Sequence, residues 1–237
     1  MKTRKSIFAA AVATASFFAA PLAANAASFS KVATDQEMIE LMEDLAFVAE
    51  GRMGNNGMNG DHELNFHGGN PFNESETQDQ TNFVWTKGQT YDFKLDYTAS
   101  TGLTKFFVDG VEKLSYDFSD DFSDIFIRTR ATKKGSSALF DNIFLNGEAL
   151  NGASSFASGD DDGLDILRIS GLSDETDFSL TGESTFDWGS IVPTNSNLAF
   201  QIKVADVEST STPEPTVIFG LGLASAGMGL LRRRKNG

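Results

Sequence analysis

The 237-residue chain predicts an all-β protein, an antiparallel two-sheet jelly-roll-like sandwich with one short N-terminal helix. Three observations lead there. Tyr91, Phe93, Leu95 and Tyr97 alternate with Asp92, Lys94 and Asp96, a period of two that puts apolar side chains on one face of a strand and charges on the other. Asp109–Gly110, a pair able to take the positive φ of a tight hairpin, separates the strand-like runs Thr104–Val108 and Lys113–Phe118. Roughly ten short strand-like runs are divided by glycine-, asparagine- and aspartate-rich turns, with no crossover helices between them, which excludes a βαβ architecture.

The elements follow in order. Thr34–Ala49 reads as a short helix: Thr34 and Glu37 form a capping box, and Met38, Met42, Leu45 and Ala49 recur at helical spacing. A competing reading starts a strand at Leu45–Glu50, where Phe47 and Val48 favour one. The polar stretch 51–81 offers one strand, His62–His67. Trp85 and the Lys87–Gly88 turn lead into the Tyr91 strand, and Ala99–Gly102 turns the chain back. Ile125–Arg130 and Leu139–Leu145 are the next strands, followed by Leu164–Gly171, whose apolar residues occupy both faces. Short strands are expected at Phe178–Leu180 and Phe186–Trp188. The last, Leu198–Val204, points Leu198, Phe200, Ile202 and Val204 inward and Gln201 and Lys203 outward.

The organisation is a signal peptide over 1–26, a sandwich domain over 27–205, a polar linker over 206–212 and a sorting signal over 213–237. Lys2, Arg4 and Lys5 precede the apolar run Ile7–Ala20, and Ala24–Asn25–Ala26 supplies the small residues of a cleavage site. No cysteine is present, so neither disulfides nor thiol chemistry enter. Phenylalanine, at 21 residues, is read as core volume rather than a glycan-stacking surface. Seven of the 19 basic residues lie at the two ends, and only Glu214 of the 33 acidic residues lies outside the body, which therefore carries about −20. Such a surface repels nucleic-acid phosphates and anionic lipid.

Candidate site residues are few. His62 and His67 stand five apart, which misses the four-residue spacing of a helical zinc pair; they are read as loop or edge residues. No metal is expected. The weak places for calcium, which takes oxygen ligands, are Asp160, Asp161 and Asp162 and the Asp117–Asp124 run with Asp120 and Asp121; both are read as solvated connections. Phe118 and Phe122 in that second run look inward. No paired-carboxylate motif announces a catalytic site, and no cofactor is expected.

Pro213–Glu214–Pro215, the apolar run Val217–Leu231 and Arg232, Arg233 and Arg234 together resemble a PEP-CTERM sorting signal. The resemblance implies export in a Gram-negative bacterium, cleavage by signal peptidase, and recognition of Pro213, Glu214 and Pro215 by an exosortase. It also implies a short transmembrane helix that holds the precursor transiently at the inner membrane. The body, FVWTKGQTYDFKLDYTASTGLTKFFVDGVEKLSYDF followed by ALFDNIFLNG, resembles concanavalin-like and laminin-G-like sandwiches and the "choice-of-anchor" domains that precede surface-sorting tails. The expected function is a non-enzymatic surface or extracellular matrix protein at the cell envelope. A carbohydrate-binding module that holds exopolysaccharide is the alternative, and a glycan-cleaving enzyme is the third reading. Exposed Trp85, Trp188 or tyrosines lining a groove would mark the second, and two carboxylates facing across a cleft the third.

Overall fold

The computed structural model describes residues 27–56, 58–68 and 76–208. The expected signal peptide, the end of the linker and the whole sorting tail lie outside these residues. Fourteen strands and one helix form two antiparallel sheets packed as a sandwich, which is the fold class expected from the alternation.

Sheet I contains β1 (Ser28–Val32), β2 (Met42–Arg52), β3 (Leu64–Gly68), β4 (Glu76–Thr81), β8 (Asp124–Ala131), β12 (Leu164–Ser170) and β14 (Leu198–Val207). Their order is β1-β12-β8-β14-β2-β3-β4. Sheet II contains β5 (Thr90–Thr98), β6 (Leu103–Val108), β7 (Val111–Asp117), β9 (Ser137–Leu145), β10 (Glu148–Ala149) and β13 (Phe178–Asp187) in the order β10-β9-β13-β5-β6-β7. β11 (Ser155–Ser158) also pairs with β9. On one side the outermost strands of the two sheets meet: the Asp79 carboxylate of β4 accepts the Ser115 N–H of β7 at 2.9 Å.

The core between the sheets is aromatic. Phe47 stacks on Phe118 with ring centroids 4.7 Å apart, and Phe93 lies 3.9 Å from Phe140. Phe200 sits among Trp85, Phe140 and Phe186. Burying each such side chain contributes roughly 1.5–3 kcal/mol, which lets the domain dispense with disulfides. Phe118 and Phe122 turn inward from the β7–β8 connection as expected. Gly102 makes the Phe118 placement feasible: it sits at φ +72°, and a β-carbon there would come within 2.0 Å of the Phe118 carbonyl. The β6–β7 hairpin turns through Asp109 and Gly110 at φ +49° and +72°, the left-handed pair that their identities predict.

β1, β10 and β11 were not expected, and four further elements differ from expectation. The helix α1 covers only Asp35–Leu41, and the chain from Met42 is already β2, so the competing strand reading of Leu45–Glu50 is the correct one. The cap is as expected: Thr34 Oγ1 accepts the Glu37 N–H at 3.1 Å, while Glu37 reaches back to the Ala33 N–H at 2.9 Å. The two short strands at Phe178–Leu180 and Phe186–Trp188 are one strand, β13, with a bulge between Thr181 and Glu183. β4, sequence ETQDQT, has no apolar residue to reveal it and is held by its ladder to β3. β14 continues to Val207, into the expected linker.

The expected transmembrane helix is corrected as well. Among the described residues no helix is long and apolar enough to cross a membrane; α1 has seven residues. The run on which the expectation rested, Val217–Leu231, lies outside the described residues and has 15 residues, against about 20 for a spanning helix.

Candidate functional site

Strand alternation sends Glu50 and Arg52 of β2, Asn65 and His67 of β3, Arg128 and Arg130 of β8, and Gln201 and Lys203 of β14 to the outer face of sheet I. The pairing registers place Asn65, Glu50, Gln201 and Arg128 in one row across four strands. His67, Val48, Lys203 and Phe126 form the adjacent row. An outer face of this kind is ordinarily wet. Here it is not: Asn65, Glu50, Gln201 and Lys203 are 1%, 5%, 7% and 3% exposed. Gln201 and Lys203 do point away from the main core as expected, but they are buried. One reason is α1, whose Met38 packs on this face with Val32, Met42, Leu45, Val48, Phe126 and Ile166 as a second apolar cluster.

Glu50 is the centre of the buried polar row. Gln201 Nε2 donates to Glu50 Oε1 at 3.2 Å; His67 Nε2 and Arg52 Nη1 lie 3.3 and 3.5 Å from Oε2. Burial by itself would raise the Glu50 pKa. The hydrogen bond from His67, the charges of Arg52 and His67 and the hydrogen bond from Gln201 outweigh it, and the carboxyl is held below its ordinary value. His67 is thus a buried partner of Glu50 on an interior strand, not the loop or edge residue expected; His62 sits just before β3 at φ +51°. Among the described residues, two buried side-chain atoms lack a hydrogen-bond partner, and both lie in this band: Asn65 Oδ1 and His67 Nδ1.

At the α1 end of the band, the Arg128 guanidinium grips Asp35 with two parallel bonds, Nε to Oδ1 and Nη2 to Oδ2, both 2.6 Å. That hydrogen bonding from Arg128 dominates over burial, and with the nearby charges of Arg128, Lys203 and Arg130 it lowers the Asp35 pKa. Arg128, Arg130, Gln201, Lys203, Asp35, Met38 and Ile39 line a cleft of about 230 Å³.

The outer face of sheet II is built differently. Glu183 of β13 stands in register with Asp141 of β9 on one side and Asp92 of β5 on the other. Burial and then the neighbouring Glu183 charge raise the Asp141 pKa. A depression of about 370 Å³ beside them is lined by Asp92, Lys94, Asn142, Phe144, Thr181 and Glu183. The bulge shapes it: Asn142 takes φ +48°, and a β-carbon at Gly182 would meet the Asp141 carbonyl and the Phe93 ring at 2.8 Å. These carboxylates stand side by side on adjacent strands of one sheet and do not face one another across a cleft.

The residues singled out from sequence fall elsewhere. Asp160, Asp161 and Asp162 occupy the exposed β11–β12 turn, where Asp160 accepts the Gly135 N–H at 3.4 Å and Asp162 the Leu164 N–H at 3.5 Å. Asp120 and Asp121 are exposed in the β7–β8 connection, whereas Asp124 at its end is buried against Arg168 Nε at 2.7 Å. Among the described residues no group of three or more histidines, aspartates or glutamates is placed to hold a metal. Trp85 and Trp188 are buried, and the Trp85 indole donates to the Arg52 carbonyl at 2.9 Å, so neither lines a groove. Pro213, Glu214, Pro215, Arg232, Arg233 and Arg234 lie outside the described residues. The band on sheet I was missed, although Arg128 and Arg130 two apart in an apolar strand of a base-poor body were a usable signal. No protein-family model matches this chain, and no curated protein matches it.

Proposed function

We propose that this chain is an exported, non-enzymatic surface or extracellular matrix module, trimmed at both ends on its way out of the cell. The observation that carries this reading is that every described strand lies between the two expected processing points. β1 begins at Ser28, two residues after Ala26, and β14 ends at Val207, six residues before Pro213. Cleavage at either point would sever no described strand. Signal peptidase would act on Ala24–Ala26, and an exosortase on Pro213, Glu214 and Pro215, with Arg232, Arg233 and Arg234 completing its signal. The acidic, cysteine-free body suits a protein kept soluble outside the cytoplasm.

Mass spectrometry of the protein recovered from the surface of its native host tests this. The expected mature chain starts near Ala27 and ends near Pro213–Pro215. Intact Leu230–Arg234 peptides throughout the surface-located material would refute processing.

A further inference from the structure

We infer that the cleft between α1 and the outer face of sheet I is a binding site for a carboxylate-bearing sugar, such as one uronate residue of an acidic polysaccharide. The body carries about −20, yet Arg128, Arg130 and Lys203 converge on this one concavity, with Asp35 as the carboxylate among its lining residues. All three cations act on Asp35, whose pKa they lower together. Asp35 therefore shows what the cleft recognises: a carboxylate gripped in a bidentate fork by Arg128. Arg130 makes no ion pair with another described residue, so the cleft retains a guanidinium that the protein's own carboxylate does not occupy.

The rest of the lining fits a sugar acid. Met38 and Ile39 give an apolar wall for the C–H face of a ring. About 230 Å³ is below the range of pockets for drug-sized ligands and holds a single small unit. The side chains are held in place from below: Gln201 is tied to Glu50, and Lys203 is almost wholly buried. A rigid, partly desolvated cationic cleft strengthens charge-assisted bonds to an anion while the acidic remainder of the surface repels polyanions at long range.

The inference takes from the extracellular reading only the source of the ligand, and binding in vitro tests it whether or not the tail is processed. The experiment is calorimetric titration of the chain with tri-galacturonate, with neutral galactotriose and tri-glutamate as comparisons. Tri-galacturonate is expected to bind, at least ten-fold more tightly than either comparison, and more weakly as salt rises. Arg130→Gln breaks no internal ion pair and is expected to weaken binding about ten-fold with unchanged thermal unfolding. Asp35→Asn frees the Arg128 fork and is expected to strengthen binding several-fold, an effect that loss of a merely structural contact would not produce. Lys113→Gln, on β7 of sheet II, is the control. The proposal is overturned by no binding, by equal binding of the neutral sugar, by equal binding of tri-glutamate, which would mark a peptide site, or by an unchanged affinity in Arg130→Gln.

Discussion

The two outer faces of the sandwich arise from the same two-residue alternation but differ in how far their charged side chains are covered. On sheet I, charged side chains are buried or half-buried and each carboxylate meets a partner: Glu50 meets Arg52 and the His67 ring, Asp35 meets Arg128, and Asp124 meets Arg168. On sheet II, Asp92, Glu183 and Asp141 stand side by side, exposed or half-buried, on three adjacent strands. The covered face requires satisfied pairs, because a lone buried charge costs several kcal/mol. The open face tolerates like charges, because water screens them. Covering a face, more than the residues on it, decides whether its charges are structural.

The largest test of this contrast is a pair of truncations. Glu50→Ala strips an acceptor from three buried or half-buried donors and is expected to cost about 3–5 kcal/mol in urea unfolding. Glu183→Ala on the open face is expected to change stability by less than about 1 kcal/mol, in the stabilising direction, since it relieves its neighbours. Equal losses in the two variants would erase the distinction.

Acid should act on the faces with opposite signs. Glu50 and Asp35 have lowered folded-state pKa values, so the stability they contribute is present above the ordinary carboxylate range and is lost as pH falls through their depressed values. Asp141 has a raised value, so its ionisation opposes folding at neutral pH, and that penalty disappears as pH falls through the raised value. Urea midpoints measured from pH 7 downward should fall in the wild type, and much less of the fall should remain in Glu50→Gln. A wild-type midpoint that rises steadily on acidification would show that sheet II dominates instead.

The smallest effect sharpens the second half of the comparison. Asp141→Asn keeps the shape of the side chain and removes its repulsion with Glu183. It is expected to stabilise the domain by roughly 0.2–1 kcal/mol at pH 7. The gain should vanish in acid, where Asp141 of the wild type is itself protonated. A gain that persists unchanged at low pH would point to packing rather than charge.

What could be read from the chain in advance was local. The β5 alternation and the Asp109–Gly110 turn need only neighbouring residues, and so do the inward Phe118 and Phe122. The fate of Gln201 and Lys203 was not local, because it depends on α1 docking over a strand more than 150 residues away in sequence. β4 escaped because a polar strand is stabilised by its ladder and has no hydrophobic pattern. β13 was divided in two because Gly182 and the hydroxyl-rich run around it interrupt the apolar signal at the bulge. The aspartate runs drew attention by density alone; the cleft cations are spread over two strands and meet only through pairing of β8 with β14.

The Asp79–Ser115 contact has a consequence for crowding. Molecules packed at high density meet their own copies constantly, and an unfinished strand border invites fibre growth by offering bare amide groups to a neighbour. On the β4–β7 side, a side chain of one sheet already occupies an amide of the other. The opposite borders are the two-residue β10 with the four-residue β11, and the five-residue β1, whose Lys31 is drawn to Asp165 at 2.5 Å. Short, tethered or mutually occupied borders let such a domain be stored at close quarters as separate particles instead of zipping into filaments.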